Sequence, residues 1–222
     1  MMKRVGAFLF GVFAAFNALS ADKQIFAGSG FWPNKLILNN STEVPLIDQG
    51  WYSFDGFHDP DNQNYTAGIC NSCVHPGEYR NWFVFDISGL SAPVASMSIS
   101  LFTYVINTDS LIYYMYDYGG SIPDLVNGTG GVNAFADLGS GNMYGLRQFS
   151  FTESRMTRTI ALTNQGYAVA SLNQAIANHQ AQWAIGGATT TGNPLPVPEP
   201  STHALFSVGA VGVLLAARRK RK

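Results

Sequence analysis

The chain has 222 residues, with 13 Lys and Arg against 14 Asp and Glu and a formal net charge of −1 at pH 7. Lys3, Arg4 and the last five residues hold seven of the cations, and Glu199 is the one acid of the C-terminal tail, so the body between keeps six cations against 13 acids, about −7. A body of that sign without clustered Lys or Arg argues against a nucleic-acid partner, because neutralising phosphates requires such clusters.

Residues 1–21 have the form of a secretory signal peptide. Lys3 and Arg4 precede an apolar stretch over 5–16, and the small residues Ala18, Ser20 and Ala21 follow. The apolar stretch is short of the ~20 residues a membrane span needs. Signal peptidase is therefore the expected first partner, cutting after Ser20 or Ala21.

The body, residues 22–188, is rich in Gly, Ser, Asn, Thr and aromatic residues and poor in Lys and Glu, a composition of strands and turns. Strands are expected at 36–38 and 46–51. Arg80 to Ile87 is a nearly continuous apolar run, the pattern of a central strand covered on both faces. After a turn at Ser91-Ala92-Pro93, residues 95–105 alternate, with Met97, Ile99 and Leu101 apart from Ser96, Ser98 and Ser100. Further strands are expected at 111–118, 148–151, 158–162 and 183–185. Val169, Leu172 and Ile176 recur at helical spacing within 164–178, with Thr163 or Asn164 as the cap, and 132–138 reads as a weaker helical turn. Many short strands with one or two short helices give a mainly β fold, a β-sandwich.

No nucleophile elbow, zinc-protease helix or phosphate-cradling loop occurs. No catalytic residue and no cofactor is expected, and the chain is read as a non-enzyme. The densest polar constellation lies over 57–78: His58, Asp59, Asp61, Asn64, Cys70, Cys73, His75 and Glu78. For Cys70 and Cys73, three apart in an exported chain with two cysteines, a disulfide is favoured. A redox-active dithiol and a zinc site using Cys70, Cys73, His75 and His58 are the alternatives. Asp59 and Asp61 are weak calcium candidates: against the EF-hand template Asn64 stands at the turn glycine and Cys70 at the bidentate glutamate, so a solvated turn is preferred. Tyr113, Tyr114 and Tyr116, together with Tyr118, Trp51 and Tyr52, are candidates for a sugar-stacking platform, set against ordinary sheet packing. A polysaccharide-processing enzyme using carboxylates among Asp55, Asp59, Asp61 and Glu78 is the rival reading.

The C-terminus has three pieces in order. A Thr- and Pro-rich linker over 189–198 leads into Pro198-Glu199-Pro200-Ser201-Thr202. An apolar run over 204–217 follows, and then Arg218-Arg219-Lys220-Arg221-Lys222. The basic residues stop transfer across a bilayer, and the prolines keep the preceding segment extended. Residues 197–222 closely resemble the PEP-CTERM sorting signal of exopolysaccharide-producing Gram-negative bacteria. The resemblance implies recognition of Pro198, Glu199 and Pro200 by an exosortase, with the apolar run as a transient transmembrane-like helix. It also implies delivery to the cell surface or extracellular matrix, with exopolysaccharide as a partner. A permanent single-pass anchor is the alternative. The body resembles a recurring domain of such proteins as well: Asn81, Phe83, Val84, Phe85, Asp86, Ser88, Gly89 and Leu90 match its "N-x-F-V-F-D-L-S-G-L" phrase, and residues 184–187 its closing "A-I-G-G". That likeness implies a jelly-roll-like sandwich and no catalytic residue.

Overall fold

The computed structural model describes residues 22–26 and 34–189. The signal peptide and the whole sorting signal, Pro198, Glu199 and Pro200 included, lie outside the described residues.

The strands are β1 (Lys23–Ile25), β2 (Lys35–Leu38), β3 (Thr42–Ser53), β4 (Ala67–Cys70), β5 (Gly77–Asp86), β6 (Met97–Phe102), β7 (Leu111–Asp117), β8 (Met143–Phe149), β9 (Thr157–Ala161) and β10 (Gln182–Thr189). The helices are α1 (Ile122–Val126), α2 (Gly131–Asp137) and α3 (Tyr167–Ala177). The fold is mainly β, as its composition foretells. Every strand pairing is antiparallel, and the strands run in the order β8-β7-β10-β5-β3-β2-β6-β9, with β4 beside β5 and β1 beside β4.

β3 is the hinge of this sheet. Its first residues pair with β2 and its second half with β5, and the register slips between Leu46 and Asp48. The extra residue, Ile47, bulges the strand, which bends it and strengthens its twist. The sheet thereby folds over its own inner face until its two edges meet. The backbone of Gly145 in β8 lies against the Ala161 carbonyl at the end of β9. Arg147 of β8 donates to the Thr159 carbonyl (3.3 Å), and Glu153 joins Arg147 (2.9 Å) to Arg158 (2.6 Å) across the same seam.

The inner face holds the main core. Phe83 and Phe85 of β5, Met97, Ile99 and Leu101 of β6, and Leu111, Tyr113 and Met115 of β7 meet there, with Leu172 and Ile176 of α3. A second cluster covers the outer face. Leu125 of α1 with Ala134 and Leu138 beside it pack on Tyr52, Trp82, Val84 and Ala184. β5 is thus paired on both edges and covered on both faces, which is why its sequence is apolar without alternation.

Boundaries differ from the sequence expectation for local reasons. The strand expected at 95–105 stops at Phe102, because the Thr103 hydroxyl bonds the Glu153 and Met156 carbonyls. The strand expected at 148–151 runs over Met143–Phe149, and Phe151–Glu153 is a 3-10 turn. Neither Thr163 nor Asn164 caps α3. The Asn164 amide donates to the Met143 carbonyl of β8 (2.7 Å), and the chain turns into the helix through Gly166 at φ 71°. β1, β4 and α1 were not expected. α1 has a readable signature nonetheless: Ser121 accepts from the Asp124 N–H (3.3 Å), with a proline in the first turn.

Candidate functional site

The inner face of the sheet continues beyond the main core along β5, from Phe83 through Asn81 to Tyr79. There it meets Trp51 of β3, with ring centroids 5.0 Å apart, and Cys70 at the end of β4, which packs on both. Trp51 and Tyr79 form the floor of a groove of about 480 Å³, which Cys73 also lines.

The β3–β4 connection makes one wall. Asp55 accepts from the Ser53 hydroxyl (2.5 Å) and the Phe57 N–H (3.3 Å), turning the chain so that Phe57 stacks on His75 with centroids 4.0 Å apart. His75 Nδ1 lies 2.8 Å from Asp55 Oδ2, and Tyr79 donates to the His75 carbonyl (2.8 Å). The Ser53 hydroxyl bond, with help from His75, holds the Asp55 carboxyl below its usual range. Asp59 and Asn62 then close two side-chain turns, accepting from the N–H groups of Asp61 and Asn64 (both 3.1 Å).

The facing wall is the loop closed by a disulfide between Cys70 and Cys73. Asp22 grips this loop from the start of the described chain, accepting from the Asn71 N–H (2.6 Å) and the Ser72 hydroxyl (2.5 Å). With both sulfurs joined, neither is available as a metal ligand, and the zinc alternative loses half its donors. The other candidates are dispersed. His75 pairs with Asp55, Asp59 serves its own turn, Asp61 is exposed, and His58 is buried elsewhere. Among the described residues no group of three His, Cys, Asp or Glu comes together. Glu78 pairs with Arg80 at 2.8 Å.

His58 sits behind the groove, 7% exposed, its ring 5.1 Å from Tyr52, 5.6 Å from Trp82 and 6.0 Å from Trp51. Its Nδ1 is buried without a hydrogen-bond partner. Burial pushes the imidazole below its ordinary 6.5, only partly opposed by the Trp51 and Val126 backbone and by Asp59 and Asp48. The folded protein therefore takes up this proton less readily than the unfolded chain. Stability from His58 is complete above 6.5 and declines as pH falls from there. The denaturation midpoint should drop between about pH 7.5 and about pH 5.5, and His58→Gln should flatten that drop. Equal slopes in the two proteins would rule this out.

The tyrosine platform is corrected at Tyr113. β7 alternates, so Leu111, Tyr113 and Met115 point inward while Ile112, Tyr114 and Tyr116 point outward. Tyr113 is fully buried and donates to Asn81 Oδ1 (2.6 Å), leaving no face for a sugar. Tyr114 and Tyr116 stack on the outer face with centroids 6.2 Å apart. Tyr52 lies under α1, donating to the Leu125 (2.9 Å) and Asp124 (3.0 Å) carbonyls, and Tyr118 packs against the same helical cover. Trp51 does face a cavity, in company the sequence did not indicate: Phe57 and Tyr79.

Among the described residues no helix is long and apolar enough to cross a membrane. A mainly β body followed by a Pro-Glu-Pro segment, an apolar run and a cationic end is the organisation of a protein sorted through its C-terminus. The family model of the PEP-CTERM protein-sorting motif matches residues 196–222, and the chain carries that motif. The motif implies export, surface localisation and an exosortase as processing partner. No curated protein matches the chain.

Proposed function

We propose that the body is a non-catalytic structural or adhesive component of the cell surface or extracellular matrix, associated with the exopolysaccharide its producer secretes. The observation that carries this reading is the sorting motif at 196–222. Signal peptidase removes residues 1–21, and the apolar run over 204–217 then holds the chain at the inner membrane. Five terminal cations keep the tail from crossing while exosortase acts at Pro198, Glu199 and Pro200. The folded sheet, read as a jelly-roll-like β-sandwich, supplies an acidic body suited to a hydrated polymer matrix.

The test is made in the native producer. Wild-type chain should be recovered from the surface or matrix with an intact mass lacking the apolar and basic tail. Replacing Pro198, Glu199 and Pro200 together by alanine should leave the tail in place and the protein in the inner-membrane fraction. An unchanged distribution and mass in the variant, or wild-type chain recovered from the cytosol with both ends uncut, would overturn the reading.

A further inference from the structure

We propose that the groove between the β3–β4 connection and the disulfide loop binds a neutral saccharide, a site that deepens, and rests on, the polysaccharide association proposed above. The volume, about 480 Å³, is that of a ligand cleft and not of a packing defect. Its lining is divided by chemistry. Phe57, 42% exposed, supplies the open ring surface over the buried Trp51 and Tyr79, and Asp59, Asn62, Asn64 and Ser72 supply oxygens and amides at the rim. A pyranose is amphipathic in the same sense: its ring C–H groups form apolar faces, and hydroxyls surround the edge. Aromatic rings take the faces, while carboxylate and amide groups take the hydroxyls.

Charge and desolvation narrow the occupant further. Among the described residues no Lys or Arg lines the groove, whereas Asp59 does, and Asp22 and Asp55 brace its two walls. A uronate or sulfated polymer would meet like charge there. A purely apolar ligand would strip water from Asp59, Asn62 and Asn64 without returning hydrogen bonds. A neutral sugar incurs neither cost.

The walls are held before any ligand arrives. The disulfide fixes the loop, Asp22 grips Asn71 and Ser72, and His75 is held between Phe57 and Asp55. Little ordering entropy is then left for binding to overcome. The outer Tyr114 and Tyr116 pair offers stacked rings on a sheet face without such walls, so it serves as the control surface.

The experiment is electrophoresis of the processed protein, as its producer releases it, through gels containing hydroxyethyl cellulose, dextran, galactomannan or the anionic polymer alginate. At least one neutral polymer should retard the protein. Phe57→Ala and Asn64→Ala, both at the rim and away from the buried core, should each weaken that retardation about tenfold, equivalent to ~1.4 kcal/mol. The double variant Tyr114→Ala/Tyr116→Ala should bind as wild type. Retardation lost in the tyrosine variant but kept in the groove variants would overturn the site while leaving polysaccharide association standing. Retardation by alginate alone, or by none of the three neutral polymers, would overturn the site as well. Surface delivery is judged separately, by the fractionation and mass of the Pro198, Glu199 and Pro200 variant.

Discussion

Gly187→Ala should lower the stability of the folded protein by about 3 kcal/mol, read as a shift of the denaturant midpoint. In β10, Gly187 lies between Asn81 of β5 and Met115 of β7. Over it passes a hydrogen bond from one neighbouring strand to the other, the Tyr113 hydroxyl donating to Asn81 Oδ1 at 2.6 Å. Asn81 in turn donates to the Tyr65 carbonyl at 2.7 Å. All three residues are fully buried. A Cβ at position 187 would run into both the Tyr113 hydroxyl and Asn81 Oδ1. The methyl group therefore displaces one partner of a buried bond while overpacking the core, and each of these costs ~1–3 kcal/mol. Gly89→Ala is the control, since a Cβ there meets nothing within 4 Å. It should change stability by no more than about 0.5 kcal/mol. A Gly187→Ala shift as small as that of Gly89→Ala would show that the strands yield at this point.

The legible part of this fold is the part encoded by short-range pattern. β6 is recognisable because Met97, Ile99 and Leu101 alternate with serines, and β5 because burial on both faces removes alternation. Alternation also identifies Tyr113 as an inward residue once Leu111 and Met115 are taken as core, so counting tyrosines overstated the platform. The glycines of residues 186 and 187 have reasons that no periodicity carries. A Cβ on Gly186 would lie 2.6 Å from the Leu138 carbonyl oxygen after α2, and Gly187 makes room for the Tyr113–Asn81 bond. The groove was the least legible feature. Asp22, Trp51, Phe57, Ser72 and Tyr79 come from separate segments, brought together by the pairing of β1 with β4, β4 with β5 and β5 with β3. Composition showed the ingredients, and only the long-range register assembles them. The sorting signal is the reverse case: motif, apolar run and cations are contiguous, so sequence alone conveys their use.

Trp82→Ala should have the largest effect of a single substitution, about 4 kcal/mol, because it removes a fully buried indole from beneath the α1 and α2 cover. The size of the ring, and not its polar atom, accounts for that cost. Trp82 Nε1 is buried and has no hydrogen-bond partner, so Trp82→Phe forfeits no bond and should cost well under half as much. The substitution should also reach His58, whose ring stands edge-on to the indole at 5.6 Å. Burial is the first cause of the low pKa of His58, and a cavity at position 82 admits water beside the imidazole. Its folded-state pKa should then move back up toward the ordinary 6.5. The gap between folded and unfolded proton affinities narrows, so the loss of stability on acidification below 6.5 becomes shallower in Trp82→Ala than in wild type. Denaturant midpoints at about pH 7.5 and about pH 5.5 test both statements in one set of measurements. A fall in stability with an unaltered acid slope would mean that Tyr52 and Trp51, at 5.1 and 6.0 Å, suffice to keep His58 neutral without the indole.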